Sequence, residues 1–280
     1  MFKILNKEIL NQSVSKMTLK APNVARSVLP GQFIILRVDE FGERIPLTVF
    51  DYSKKDETID IIYQKVGATT LKLDQKNVGD SISNVVGPLG KSTQIKNYKK
   101  AIVVSGGVGG AISYPLAKAL KAQGSYTAII SGFRNKDLII LENEMKNISD
   151  YFEVVTDDGS NGNKGFVTNA LQRILEKDDS YDVVITIGPL PMMKAVCDVT
   201  KKFNIKTIVS MNSIMIDGTG MCGGCRLTVG GKVKFACMDG PDFDGHEVDF
   251  EESMIRSRMF ANEEKLAREK YCNLYKGAVL

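Results

Sequence analysis

In about the first 95 residues, apolar positions come in short bursts. QFIILRV, LTVFDYS and TIDIIYQKV are rich in β-branched and aromatic residues, with turn residues between them. No helical pattern intervenes, so this region predicts an antiparallel β-barrel, closed by the polar stretch GPLGKSTQIKNYKK. From AIVVSGG onward the texture changes. Apolar runs (TAIISGF, YFEVV, DVVITIG, IKTIVSM) alternate with helical patterns (AISYPLAKALKAQ, VTNALQRILEK, MMKAVCDVTKKF). That alternation predicts βαβ units in a parallel, doubly wound α/β sheet. After Met211 the chain is rich in glycine and cysteine, and a polar, helical tail is expected from about Asp249. The expected domains are a barrel over 1–96, an α/β nucleotide domain over 97–212, and a small loop region with its tail over 213–280.

Composition narrows the function classes. The 280 residues are 43% hydrophobic and 25% charged, which suits a soluble globular protein. A net charge of +4, from 37 basic and 33 acidic residues without a long basic run, argues against nucleic acid as a partner. The N-terminus has no apolar h-region, and no apolar run approaches the ~20 residues that cross a bilayer. A cytoplasmic location away from membranes is expected. No Ser/His/Asp or Cys/His set for nucleophilic catalysis is apparent.

The cysteines carry the strongest signal. There are five: Cys197, Cys222, Cys225, Cys237 and Cys272. An odd number in a reducing compartment argues against a disulfide framework. Three fall within sixteen residues, spaced Asp217-x4-Cys222-x2-Cys225-x11-Cys237. Plant-type [2Fe–2S] loops use Cys-x4-Cys-x2-Cys and a distant Cys; here aspartate takes the first position. Gly218, Gly220, Gly223 and Gly224 suit a loop wrapped closely around a cluster. A structural zinc site remains the alternative, with His246 or Cys272 as fourth ligand to Cys222, Cys225 and Cys237. Asp217 precedes a glycine and also reads as a turn residue. As an iron ligand, its oxygen is expected to raise the reduction potential above that of a thiolate set. Redox titration of Asp217→Cys checks this, and an unchanged potential contradicts ligation. Cys197 reads as core, Cys272 as an exposed or interface residue, and His246 as a surface or hydrogen-bonded side chain.

Gly106, Gly107, Val108, Gly109 and Gly110 follow an apolar strand and open a helix. Glycines there let backbone approach a pyrophosphate at the helix N-terminus. The run departs from G-x-G-x-x-G, and a plain βα turn is its alternative. Asp157 ends a later strand, and Gly188, Pro189 and Met192 stand where another strand meets its helix. Ligands of open α/β sheets sit at such carboxyl ends, so these loops are expected to share one crevice.

RIPLTVF at 44–50, SGGVGGA at 105–111, GFRNKDLIILENEM at 132–145, TDDGSNGNKGFVT at 156–168, GPLPMM at 188–193 and the closing DGPDFDGH together resemble the ferredoxin–NADP reductase superfamily over essentially the whole chain. Within it the chain is similar to the small (alpha) subunits of NADH-dependent reduced ferredoxin:NADP oxidoreductases, also described as sulfide dehydrogenase subunits. The electron-transfer subunits of dihydroorotate dehydrogenases are the next most similar, and these look like four-cysteine proteins in the cluster loop. The resemblance implies FAD on the barrel. Arg44, Pro46, Leu47 and Thr48 match a first flavin motif, although Ile45 stands where its arginine is expected. Arg44 is one place early, and so faces the other side of a strand. Ile62, Tyr63 and Gln64 match a second segment, and Gly67, Thr69 and Thr70 its phosphate-contacting end. An ordinary barrel strand and turn is the alternative for these, with Tyr63 in the core. The resemblance also implies NAD(H), with NADP(H) kept open by Arg134. It implies a larger flavoprotein partner subunit with [4Fe–4S] clusters, ferredoxin acting through the complex, and flavin-based electron bifurcation. Two other functions stay open: the dihydroorotate-type subunit and a zinc-stabilised, non-enzymatic binding module. Hydride chemistry moves two electrons and a cluster one, and a flavin connects the two.

Overall fold

The computed structural model describes residues 1–276. Strands β1 (Phe2–Asn11), β2 (Val14–Lys20), β3 (Phe33–Arg37), β4 (Arg44–Ser53), β5 (Thr58–Gln64), β6 (Ser81–Ile82) and β7 (Asn84–Leu89) form one antiparallel sheet in the order β6-β1-β2-β5-β4-β3-β7. β6 and β7 stand at opposite edges, yet only Ser83 separates them in the chain. The sheet must therefore curl so that its two edges approach one another, giving a half-barrel whose edges are not paired, where a barrel was expected. Period-two alternation fills its interior: Met17 and Leu19 from β2, Ile34 and Leu36 from β3, and Ile59, Ile61 and Tyr63 from β5 are all fully buried there. Helix α1 (Pro22–Ser27) adds Val24 and Ala25 to this core, and α2 (Ala68–Asp74) adds Leu73.

The second sheet is formed by β8 (Lys100–Gly106), β9 (Tyr126–Phe133), β10 (Tyr151–Thr156), β11 (Val183–Ile187) and β12 (Lys206–Ser210), all parallel. Its order, β10-β9-β8-β11-β12, reverses direction between β8 and β11. Helices α3 (Gly109–Ala122), α4 (Glu142–Asn147), α5 (Val167–Lys177) and α6 (Leu190–Lys202) connect the strands. The outer face of the barrel packs on α3. Val14, Phe50 and Ile62 share a core with Leu116, Ala117 and Leu120, Phe50 stacks on Tyr114 at 4.7 Å, and Lys118 pairs with Asp51 at 2.8 Å.

The C-terminal region returns to both parts. β13 (Arg226–Val229) and β14 (Lys232–Phe235) form a hairpin over Gly230–Gly231, α7 (Ala236–Asp239) follows, and β15 (Asp242–Asp244) pairs antiparallel with β12 as the last strand of the nucleotide sheet. Helices α8 (Phe250–Ser257) and α9 (Ala261–Lys276) form the expected helical tail. Among the described residues, no helix is long and apolar enough to cross a membrane.

One polar network fixes the barrel end. Asp74 accepts hydrogen bonds from Ser15 (2.7 Å) and Tyr63 (3.1 Å), with Lys65 at 3.4 Å and Lys7 at 3.5 Å. Burial pushes the Asp74 carboxyl up, but the Ser15 hydrogen bond, Lys7, Tyr63 and Lys65 together hold it below its ordinary value. Asp74→Asn is expected to cost about 1–3 kcal/mol at neutral pH. A depressed folded pKa gives stability that is present above the ordinary carboxylate range and fades as pH falls through the folded value. The gap between wild type and variant in denaturant titrations should therefore shrink towards about pH 3.

Candidate functional site

The glycine loops meet as expected. A Cβ on Gly106 would stand 2.5 Å from Met192 Sδ, and one on Gly188 would stand 2.7 Å from Met192 Cε and 3.1 Å from the Gly106 nitrogen. On Gly109 it would lie 2.3 Å from the Ile187 carbonyl oxygen. The β8–α3 turn thus touches the β11–α6 turn across the point where the strand order reverses, where ligands of such sheets bind. Gly107 has φ +56°, and nothing lies within 4 Å of a Cβ built on it, so the crevice is open above it. Exposed Asp157 ends β10, its N–H bonded to Phe133 O at 3.0 Å, which places it beside the end of β9 with exposed Arg134. Val108 precedes the first turn of α3, and Pro189 the first turn of α6.

The flavin-matching residues lie where the barrel ladder opens. β4 pairs with β5 from Val49–Ile61 to Ser53–Thr58. Before that point Arg44–Thr48 pair only with β3, and Ile62–Gln64 only with β2. Pro46, Leu47 and Thr48 thus present an unpaired edge, half-buried, as backbone that a ligand's polar rim can satisfy. Arg44 is exposed at the start of the strand. Tyr63 faces the barrel interior and donates to Asp74, so only its backbone borders the gap; Ile62 faces α3 and Gln64 is exposed. Gly67 opens α2; the Thr70 hydroxyl takes the Gly67 N–H at 3.1 Å, and Thr69 donates to Glu43 at 2.8 Å.

The cysteine loop forms two pairs. Cys225 and Cys237, each 1% exposed, bring their sulfurs to 3.3 Å; two sulfurs on one tetrahedral metal with bonds of about 2.3 Å stand roughly 3.8 Å apart. Burial, and the neighbouring Cys225, push the Cys237 thiol above its ordinary value. Asp217 and exposed Cys222 form the other pair, the Asp217 carboxylate accepting from the Cys222 N–H at 2.8 Å. The Thr219 N–H, at 2.8 Å, is the main cause holding Asp217 below its ordinary value. Among the described residues, no three His, Cys, Asp or Glu side chains surround a common point. His246 bonds the Thr200 hydroxyl at 3.1 Å, and Cys272 lies on α9 beside α2, so neither reaches the loop. Cys197 is buried, its thiol pushed up to about 12 by desolvation.

Two contacts were not legible in the sequence: the packing of Gly218, already read as a loop glycine, and the clamp from Arg256. Gly218 packs onto the barrel: a Cβ there would stand 2.8 Å from both Ile35 and Leu89. Ile35 is the register partner of Pro46, so a single strand separates the cluster loop from the flavin-matching segment. Arg256, on α8, donates to Gly224 O (3.2 Å) and Arg226 O (3.0 Å), clamping the loop. An arginine in a mixed tail carries no sequence signal for this.

Residues 212–249 match the iron–sulfur cluster binding domain of dihydroorotate dehydrogenase B. The chain is 43% identical over 268 residues to a dihydroorotate dehydrogenase B (NAD(+)) electron transfer subunit homolog of Thermotoga maritima, covering 96% of this chain and 94% of that one. It is 33% identical over 255 residues to the electron transfer subunit itself from Bacillus pumilus, covering 88% and 95%. A solved structure of an NADH-dependent reduced ferredoxin–NADP oxidoreductase, described in terms of flavin-based electron bifurcation, superposes with a TM-score of 0.92 at 42% identity, covering 97% of this chain and 98% of that one.

Proposed function

Since the chain belongs to the family of dihydroorotate dehydrogenase B electron transfer subunits and their homologues, we propose that it is an electron-transfer subunit binding FAD, a [2Fe–2S] cluster and NAD(H), paired with a larger subunit. When bound, the flavin exchanges hydride with the nicotinamide and single electrons with the cluster. The chain's residues set the order of these centres. Gly106–Gly110, Gly188, Pro189 and Met192 hold the dinucleotide at the sheet's reversal point, with Asp157 at its rim. Pro46–Thr48 and the backbone of Ile62–Gln64 border the flavin, with Arg44, Gly67, Thr69 and Thr70 flanking its phosphates. Asp217, Cys222, Cys225 and Cys237 hold the cluster. The observation that carries this reading is adjacency: the cluster loop rests on Ile35, whose strand partner is Pro46.

The finer reading is that the partner is a flavoprotein carrying [4Fe–4S] clusters and that the pair bifurcates electrons, with ferredoxin as one acceptor. What favours it over a dihydroorotate-type role is the aspartate at position 217, the first position of the cluster spacing; the full-length likeness to the bifurcating structure is consistent with it. The docking face is the rim of the cluster loop. Met221 is 89% exposed beside exposed Cys222, exposed Met238 packs on Gly220, and Ile216, Met259 and Phe260 line a neighbouring cavity of about 240 Å³.

The test is anaerobic co-purification with the partner, followed by reduction with NADH or NADPH. Flavin bleaching and a [2Fe–2S] EPR signal support the subunit function, and a colourless zinc protein sinks it. Reduction of the complex by dihydroorotate would assign the alternative role.

A further inference from the structure

A buried carboxyl outside these sites lies where the three parts of the chain meet. Asp242, on β15, pairs in register with Ser210 of the nucleotide sheet. Its Oδ2 accepts at 2.5 Å from Thr93, in the linker between the two sheets. Gly31, ahead of β3, leaves room for that bond: a Cβ there would stand 2.1 Å from the Thr93 hydroxyl. The other carboxyl oxygen, Oδ1, is buried and has no hydrogen-bond partner.

Among the described residues, no cation pairs with Asp242. Lys91 in the linker is held by Asp239 on α7 at 4.0 Å, and Lys96 is exposed. Lys206 is exposed at the far end of β12, and Asp244 is exposed and takes the His246 N–H. The approach to β3 presents Gly31, Gln32 and Phe33, none of them charged. Burial accordingly raises the Asp242 carboxyl above its ordinary value, against the opposing influence of the Thr93 and Ser210 hydroxyls. The position matters for electron flow. On one side Phe33, packed on Gly90 and so on Pro241, is the register partner of Thr48 in the flavin-matching strand. On the other side Phe243 packs on Gly240 and the Ala236 carbonyl, next to Cys237.

We propose that Asp242 takes up one proton from solvent as an electron arrives on the neighbouring cluster, so that the charge added at this junction is balanced. The carboxylate becomes the carboxylic acid, no other bond changes, and the electron comes from the nicotinamide–flavin couple of the proposed function on which this inference rests. Asp242 is only half-buried as a residue, which gives the proton a short route from solvent.

EPR-monitored potentiometry of the cofactor-loaded chain between about pH 6 and 9 tests it, comparing wild type with Asp242→Asn. The wild-type cluster potential should fall with rising pH, by at most about 59 mV per tenfold drop in proton concentration for one electron. The variant should sit higher and stay flat. Redox-difference infrared spectra should gain a carboxylic acid C=O band on reduction in wild type alone. A pH-independent wild type, or an equal slope in Asp242→Asn, overturns the inference. Should Asp242→Asn fail to fold, Thr93→Val, which removes a donor to the carboxylate, should move the sloping range to higher pH; an unmoved range overturns it. A chain lacking the cluster signal altogether overturns the functional reading with it.

Discussion

Cys237→Ser is expected to yield a folded, yellow protein that NADH still bleaches but that shows no [2Fe–2S] absorption or EPR signal. Cys237 is 1% exposed and lies 3.3 Å from the Cys225 sulfur, at the start of α7, and is not one of the residues that border the β4 gap or form the glycine turns. Serine keeps the shape and loses the soft thiolate that iron requires. Removing even a supporting group beyond the ligands of a metal site costs 10–100-fold, so one-electron transfer to a partner or an artificial acceptor should fall by at least about 100-fold. Hydride transfer from NADH to flavin should change by less than about threefold, because no residue of that path moves. Cys197→Ser and Cys272→Ser are the controls: one sits in the α6 core and the other on α9, and both should keep the cluster. Loss of the cluster in either control, or its survival in Cys237→Ser, would contradict the ligand assignment.

Gly109→Val should strike the opposite end of the electron path. Its first side-chain carbon would lie 2.3 Å from the Ile187 oxygen and 2.9 Å from the Ile187 carbonyl carbon. Both are backbone atoms of a central strand, so they cannot swing aside as a flexible side chain would. Overpacking of this kind costs about 1–3 kcal/mol, and the opening of α3 must also retreat from β11. Flavin reduction by NADH should drop at least about tenfold, mainly through weaker dinucleotide binding, while the cluster spectrum persists. Gly107→Ala separates strain from space. Nothing surrounds that position, but its φ of +56° costs a side chain about 1–2 kcal/mol. Stopped-flow NADH titration of both variants would show a rise in apparent Kd for the valine well above that for the alanine. Equal effects would place the crevice elsewhere.

Much of this architecture was readable from residue patterns because most elements bury one face. The βαβ alternation announced the parallel sheet, and strand-end glycines announced their own convergence, since only glycine lets Gly109 approach Ile187. The cysteine spacing announced a loop that closes on itself. Other features depend on partners distant in sequence. Asp242–Asp244 is three residues with two charges, unremarkable alone, and it becomes a strand only because β12 leaves an edge beside it. The Tyr63 hydroxyl finds its acceptor in Asp74, from another element, and no local pattern encodes that. The hairpin over Gly230–Gly231 was missed for another reason. LTVGGKVKF carries a usable glycine-pair turn signal, but the surrounding glycines and cysteines obscured it.

The late arrival of β15 bears on how the protein is made. During synthesis β12 emerges before Cys222, Cys225 and Cys237, and its outer edge has no neighbour until Asp244 has left the ribosome. An unpaired edge is an invitation to other strands, so the nascent sheet is most vulnerable while the cluster loop is being extruded. Cys225 and Cys237 are brought together earlier, by the β13–β14 hairpin that sets Arg226 opposite Phe235, so the cysteine pair can form before that edge is sealed. A chain interrupted between residues 210 and 236 would leave the ribosome with neither a sealed sheet nor a complete set of the proposed ligands.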